Sequence, residues 1–597
     1  MFSTRAFQID VARQPESLDT LKRVVADGAR FGFNQCHLYL ENKLRLDAFG
    51  SAAAGLSKDE MRELIEFAAE KAVEIVPSLN LLGHTEHFVR HEEFADLREN
   101  REGARRPDQD HDGCLCPSLE ETRSWAAEVI EETAELFPSD NLHAGLDETW
   151  PLGSCPLCRK RESEEGLGAL FARYANLLNA QVSACGKTMW MWADMLFYFD
   201  GSLEGLDRDI VLVDWFYRPV ENTPLQSFFN WRRLDTTRRL LEAGHRVVPA
   251  GGLGSENLRS FTRYAEGPEV REFLVTQWEG SNRFQDNYAI QRCRAGHLLT
   301  TGRMPDAAEL GRRLLPEHTP EDQLRFLLAA QAPPSETDTA LSVLDKQGDS
   351  RLHRVTRSAL LHESISRAGE TAEGELRHIG RDVLQGSGEE SAALERELHR
   401  LQRATERGEE WQDLLDDLAE EHGEDRSARG IYGNADALCT AVGDLREAAE
   451  AFAADPTPET YPFSPAELVL EFIILDPCAH RCRALVSDDG ETWEEVLSGG
   501  MPTGGRKATL RAGLEEVPRF ARVEVGGYAR IGLANVRCGD LAGMHAPRGL
   551  VEAGGSVVDP QHVLRWDEKC TLMNEPDVES KWRVRGETPL NYVVVAF

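Results

Sequence analysis

Positive charge and long apolar runs are what this 597-residue chain has least of. Lys and Arg total 67 against 102 Asp and Glu, a formal net charge of −35, and lysine is scarce beside arginine. No basic patch emerges to track phosphates, which argues against a nucleic-acid partner. The surplus acid reads as a solvating surface. No apolar stretch approaches the ~20 residues of a membrane span, and none precedes the first strand-like run as a secretory leader would. No membrane partner is expected, and the chain reads as cytoplasmic. The 12 cysteines are scattered rather than concentrated in a small secreted scaffold. A glycine-rich phosphate loop after the first strand is also missing, which removes the usual mark of a doubly wound nucleotide-binding sheet.

What is present is an alternation of short apolar runs with helical patterns. Ala6 to Val11, Asn34 to Leu40, Glu74 to Leu79, Leu142 to Leu146, Thr188 to Trp192, Ile210 to Trp215, Val247 to Ala250 and Phe273 to Gln277 read as strands. Between them, Leu18 to Arg30, Lys58 to Ala72, Ser118 to Phe137, Leu167 to Cys185, Thr236 to Ala243 and Pro268 to Glu272 read as helices. Eight strands in this order over residues 1–304 predict an α/β fold, a (β/α)8 TIM barrel.

Chemistry in such a barrel sits at the C-terminal ends of its strands. The fourth strand runs His143-Ala144-Gly145-Leu146 straight into Asp147-Glu148. Strand alternation sends His143, Gly145 and Asp147 to one side, and Glu148 falls where the strand breaks. Two convergent carboxylates suit sugar hydrolysis, one protonating the leaving oxygen and the other stabilising developing positive charge. Trp192, Trp215 and Trp278 end later strands and can wall a pocket against a pyranose face, or simply pack barrel against helix. His143 either braces the acids from upstream or is an ordinary core histidine.

These residues resemble family 20 glycoside hydrolases, the β-N-acetylhexosaminidases. His143 to Glu148 fits the His-x-Gly-x-Asp-Glu signature. Asp10-Val11-Ala12-Arg13 looks like the first-strand Asp-x-x-Arg, and Leu82-Gly83-His84 like the third-strand Gly-His. Trp192-Ala193-Asp194, Trp215 and Trp278 stand in for the pocket tryptophans. The stretch Val76 to Arg98 looks most like the hexosaminidase D branch. The resemblance implies substrate-assisted, retaining hydrolysis of terminal GlcNAc or GalNAc through an oxazolinium ion. Glu148 would be acid and base, and Asp147 the acetamido partner. Arg13 and His84 would bind the sugar, and Tyr217 is the candidate hydroxyl for the acetamido oxygen. The expected partner is an N-acetylated oligosaccharide or glycoside, and no catalytic cofactor is implied. Departures at Asn80 and Trp278-Glu279-Gly280 leave the preferred sugar open, with Glu256 or Asn257 as alternatives to Glu279 for the 4- and 6-hydroxyls. A modified N-acetyl sugar or disaccharide unit, or a barrel that binds sugar without turnover, are the other readings.

Cys114-Leu115-Cys116 and Cys155-Pro156-Leu157-Cys158 fall in the loops after the third and fourth strands, which adjacent strands bring together. Four thiolates there suit a structural zinc, with reduced thiols or a disulfide as the alternatives. Residues 305–456, rich in Glu, Arg, Leu and Ala, predict a helical domain with a long antiparallel pair, and self-association through it stays open. Residues 457–597 alternate in short runs and predict an antiparallel β-sandwich. Within it, Ser487-Asp488-Asp489-Gly490-Glu491-Thr492-Trp493 resembles a turn of discoidin-like accessory domains.

Overall fold

The computed structural model describes residues 2–100, 113–220, 235–267, 270–278, 283–386, 391–422, 430–474, 481–500, 507–526, 530–540, 543–546, 548–554, 572–573 and 591–597. Eight parallel strands close on themselves in chain order. They are β1 Thr4–Asp10, β2 Gln35–Tyr39, β3 Glu74–Ser78, β4 Asn141–His143, β5 Thr188–Trp192, β6 Val211–Phe216, β7 Val247–Gly251 and β8 Glu272–Val275. β1 completes the ring, pairing with β2 on one side and β8 on the other. The fold is the (β/α)8 barrel expected from the alternation.

Side chains along each strand divide by parity. Ala6, Trp190, Trp192, Val211, Val213, Val248, Ala250 and Leu274 gather inside the barrel, with Trp215 and Trp278 packed against them. Phe7, Ile9, Met189, Met191, Leu212, Val247, Phe273 and Val275 enter the larger core under the helices. The period of two thus sorts each strand between two hydrophobic cores. The first helix, Leu18–Phe31, opens where the Ser17 side chain accepts the Thr20 N–H and stops at Gly32, whose φ is 108. One expectation is corrected: the helix ahead of β8 is Ser255–Glu266, and Glu272 already belongs to the strand. Pro268, where a helix start was read, lies outside the described residues, as does Glu269.

The chain gathers into two compact units, Met1–Ser364 with Glu410–Ala437, and Ile365–Glu409 with Leu438–Phe597. Three long helices, Arg351–Leu384, Ser391–His422 and Gly430–Ala454, contribute to both. In the second unit two antiparallel sheets share a core of Leu468, Leu470, Phe472, Val523, Val536 and Val595. Glu467, 2 % exposed, lies there among Arg377, Arg381 and Arg511, with Arg377 Nη1 at 3.2 Å and Arg511 Nη1 at 3.1 Å from its Oε2. Asp489 Oδ1 accepts the N–H groups of Glu491 and Thr492 at 2.8 and 2.7 Å, which closes the turn at Gly490. Among the described residues no helix is long and apolar enough to cross a membrane.

Candidate active site

β4 stops at His143 because the backbone then turns left-handed: φ is 76 at Gly145, 75 at Leu146 and 46 at Glu148. The segment stays tied to both neighbours, with Ala144 N donating to Trp190 O at 2.8 Å and Leu81 N to Ala144 O at 3.2 Å. A β-carbon at Gly145 would lie 2.6 Å from Leu79 O, so glycine alone fits this crossing. Leu146 and Glu148 take the same conformation with side chains attached, at a strain of about 1–3 kcal/mol each. The turn presents Asp147, 6 % exposed, beside Glu148. Glu148 N donates to Oδ2 of the buried Asp194 at 2.9 Å, which fixes where the second carboxylate leaves the chain.

The segment after β3 closes on this turn. A β-carbon on Gly83 would meet Asp147 O at 2.1 Å. That approach delivers His84, also left-handed with φ 53, whose Nε2 stands 3.5 Å from Asp147 Oδ2 and 3.2 Å from Glu148 Oε2. Burial opposes charge on His84, but the two carboxylates outweigh it and lift the imidazole to about 10. Burial pushes Asp147 up to about 6, with His84 pulling it down and Glu148 adding to the rise. Asp194 is held well above the usual carboxylate range by its burial and by Asp147.

Arg13, His84, Asp147, Glu148, Trp192, Trp215, Tyr217 and Trp278 line one cavity of about 190 Å³. Asp10 orients Arg13, accepting its Nη1 at 2.7 Å and its backbone N–H at 3.2 Å. The guanidinium lies 4.9 Å from the Trp278 ring centroid. Trp278 Nε1 donates to the Tyr217 hydroxyl at 2.9 Å, and Tyr217 stacks on Trp215 at 5.0 Å. The buried Trp192 indole N–H has no hydrogen-bond partner among the described residues, so it can donate to a ligand.

With this geometry in place, similarity to known proteins covers part of the chain. The family model "Glycosyl hydrolase family 20, catalytic domain" matches residues 2–252. Residues 2–252, which hold strands β1 to β7, are similar to the catalytic domain of that family. A beta-hexosaminidase of Akkermansia muciniphila is 24 % identical over 300 residues, 42 % of this chain and 59 % of that protein. Hexosaminidase D of Bos taurus is 31 % identical over 145 residues, 24 % of this chain and 40 % of that protein. The chain therefore spans little more than half the length of these relatives, or less. Bacterial beta-hexosaminidases and hexosaminidase D both match at a distance, which supports the family-level resemblance without singling out the hexosaminidase D branch. The solved Flavobacterium johnsoniae chitobiase is 14 % identical with a TM-score of 0.44, over 75 % of this chain and 72 % of that one.

Other candidates take different places around the barrel. His143 lies inside the barrel, away from the cavity lining, with its ring 4.7 Å from Trp192 and its Nδ1 accepting Gly145 N at 3.1 Å. Burial holds that imidazole neutral, well below its usual range, so it braces Trp192 and the glycine turn. Asn257 is not a free sugar ligand. Its Oδ1 accepts Gly252 N at 2.9 Å and its Nδ2 donates to Phe216 O and Arg218 O at 2.8 and 2.6 Å, a staple between the β6 and β7 loops. Glu256 is exposed in the first turn of the following helix. Glu279 and Gly280 lie outside the described residues.

The cysteine set also changes membership. Glu99, Cys116, Cys155 and Cys158 are all buried and bring one ligand atom each within 4.8 Å of one another, so they can hold a metal ion. Cys114 does not join them: its thiol turns to Leu115 O at 3.6 Å. Glu99 takes the fourth place because Arg98 and Leu115 pair as an isolated antiparallel bridge, which sets Glu99 beside the Cys114 to Cys116 segment. Nothing in the spacing marked Glu99, one acid among 102.

Proposed function

We propose that this protein is an exo-acting β-N-acetylhexosaminidase that removes terminal GlcNAc or GalNAc with retention, using the substrate's own acetamido group. The observation that carries the reading is the convergence of Asp147, Glu148 and His84 in the lining of one tryptophan-walled cavity. At about 190 Å³ that cavity falls below the ~300–1,000 Å³ of drug-sized pockets, which favours one sugar ring over a polymer segment.

In this scheme Glu148 gives its proton to the glycosidic oxygen as the bond to the anomeric carbon breaks. The acetamido oxygen attacks that carbon and forms the oxazolinium ion. Asp147 accepts the acetamido N–H and offsets the positive charge, which requires it ionised beside a protonated Glu148. His84, cationic between them, favours the ionised form of Asp147. Tyr217, its hydroxyl oxygen fixed by Trp278, faces the acetamido oxygen. Water then opens the ring of the intermediate and returns a proton to Glu148. Arg13 and the Trp192 N–H take sugar hydroxyls.

The deciding assay compares aryl β-glycosides of GlcNAc, GalNAc and glucose on the parent protein and on Asp147→Asn and Glu148→Gln. The expected result is cleavage of an N-acetyl sugar but not glucose, lost in both variants. Glucoside cleavage at a comparable rate, or activity surviving Glu148→Gln, would refute the assignment. Binding of an N-acetyl sugar with no cleavage at any pH would favour a sugar-binding role instead.

A further inference from the structure

We infer that Glu99, Cys116, Cys155 and Cys158 bind one Zn²⁺ that staples the loop after β3 to the loop after β4. Cys116 Sγ lies 3.5 Å from both Cys155 Sγ and Cys158 Sγ. Four ligands around zinc with Zn–S near 2.3 Å put neighbouring sulfurs about 3.8 Å apart, whereas a disulfide needs about 2.05 Å. No disulfide joins these cysteines, and their 3.5 Å spacing is that of co-ligands.

The local structure is that of a knuckle. Cys155 caps the helix Pro156–Glu165, with Pro156 in its first turn, so that the Cys158 N–H points at Cys155 Sγ at 3.3 Å. Ser118 Oγ stands 3.1 Å from Cys158 Sγ, and Cys155 N donates to Glu99 Oε1 at 3.0 Å. Each of these contacts supports a charged ligand atom and orients it. Three thiolates and one carboxylate carry four negative charges, which a buried site holds only around a cation. A soft, sulfur-rich tetrahedral set selects zinc over magnesium or calcium.

The location gives the ion a task. Glu99 and Cys116 lie on the segment that carries Gly83 and His84, with Leu115 N bonded to Leu82 O at 2.8 Å. Cys155 follows the Asp147–Glu148 turn within a few residues. The zinc therefore braces the contact between His84 and the two carboxylates without touching the sugar.

The test is metal content of the purified full-length protein by mass spectrometry, followed by cobalt substitution. One zinc per chain is expected, retained in Cys114→Ser and Glu99→Cys and lost in Cys116→Ser and Cys155→Ser. The thiolate-to-cobalt charge-transfer band should have the strength of three sulfurs, rising in Glu99→Cys. These readings do not depend on the proposed glycosidase activity. Absence of metal from a folded parent protein, a Cys155–Cys158 disulfide found by peptide mapping, iron in place of zinc, or loss of metal in Cys114→Ser would each overturn the assignment.

Discussion

Replacing Gly83 by alanine tests whether the approach of two loops sets the catalytic geometry. The new β-carbon would start 2.1 Å from Asp147 O and must retreat about 0.9 Å to reach even 3.0 Å, below which real β-carbons essentially never come. Neither side yields without consequence. Moving the Gly83 segment carries His84 away from its 3.5 and 3.2 Å contacts, and moving Asp147 disturbs a turn already left-handed at Leu146 and Glu148. A displacement near 1 Å costs on the order of 100-fold in rate, and the crowding about 1–3 kcal/mol in stability. Steady-state kinetics on an aryl N-acetylglucosaminide, with thermal unfolding by circular dichroism, should show the loss in kcat rather than KM. Gly254→Ala is the control, since φ there is −64 and nothing lies within 4 Å of an added β-carbon. A folded Gly83→Ala protein within roughly threefold of parent kcat would refute the reasoning.

The proposed scheme needs Asp147 ionised, and burial pushes its carboxyl up to about 6, so kcat/KM should fall as pH drops through about 6. His84→Gln removes the cation that lowers that value, so the acid limb should move to higher pH; a profile unmoved or moved to lower pH contradicts the linkage. Trp192→Phe keeps a ring but loses the unpartnered indole N–H, for an expected loss of about 1 kcal/mol, near fivefold, in kcat/KM on N-acetyl glycosides. In the long helices Gly374 and Gly443 meet nothing within 4 Å, so each alanine substitution should stabilise by roughly 0.5–1 kcal/mol in urea unfolding.

Much of the barrel was legible because its strands are short apolar runs of period two. Thr188–Trp192 was read with the bounds the structure gives it. The fourth strand was begun one residue late and carried three residues too far, since alternation cannot reveal that Leu146, an ordinary strand former, is left-handed at φ 75. The cavity-lining side chains stand at strand ends, where a strand count points to them, whereas His143 faces inward one layer deeper and the sequence does not show depth. Asn257 and Asp194 act through hydrogen bonds to backbone groups 39–46 residues away, a relation no local pattern encodes. Glu99 was hidden for the same reason: the bridge that sets it beside Cys116 is tertiary.

The Glu467 cluster bears on how freely the C-terminal sandwich could be traded between proteins. Cutting the chain near residue 457 would strip Glu467, 2 % exposed in the intact chain, of Arg377 and Arg381 and leave it Arg511 of these three arginines. Breaking such a buried pair costs about 3–5 kcal/mol, a large part of what a small domain has to spare. Grafted alone onto another enzyme, residues 457–597 would arrive with a broken joint. Grafted with the helical stretch that carries the two arginines, they would arrive whole, so the heritable cassette is larger than the sandwich.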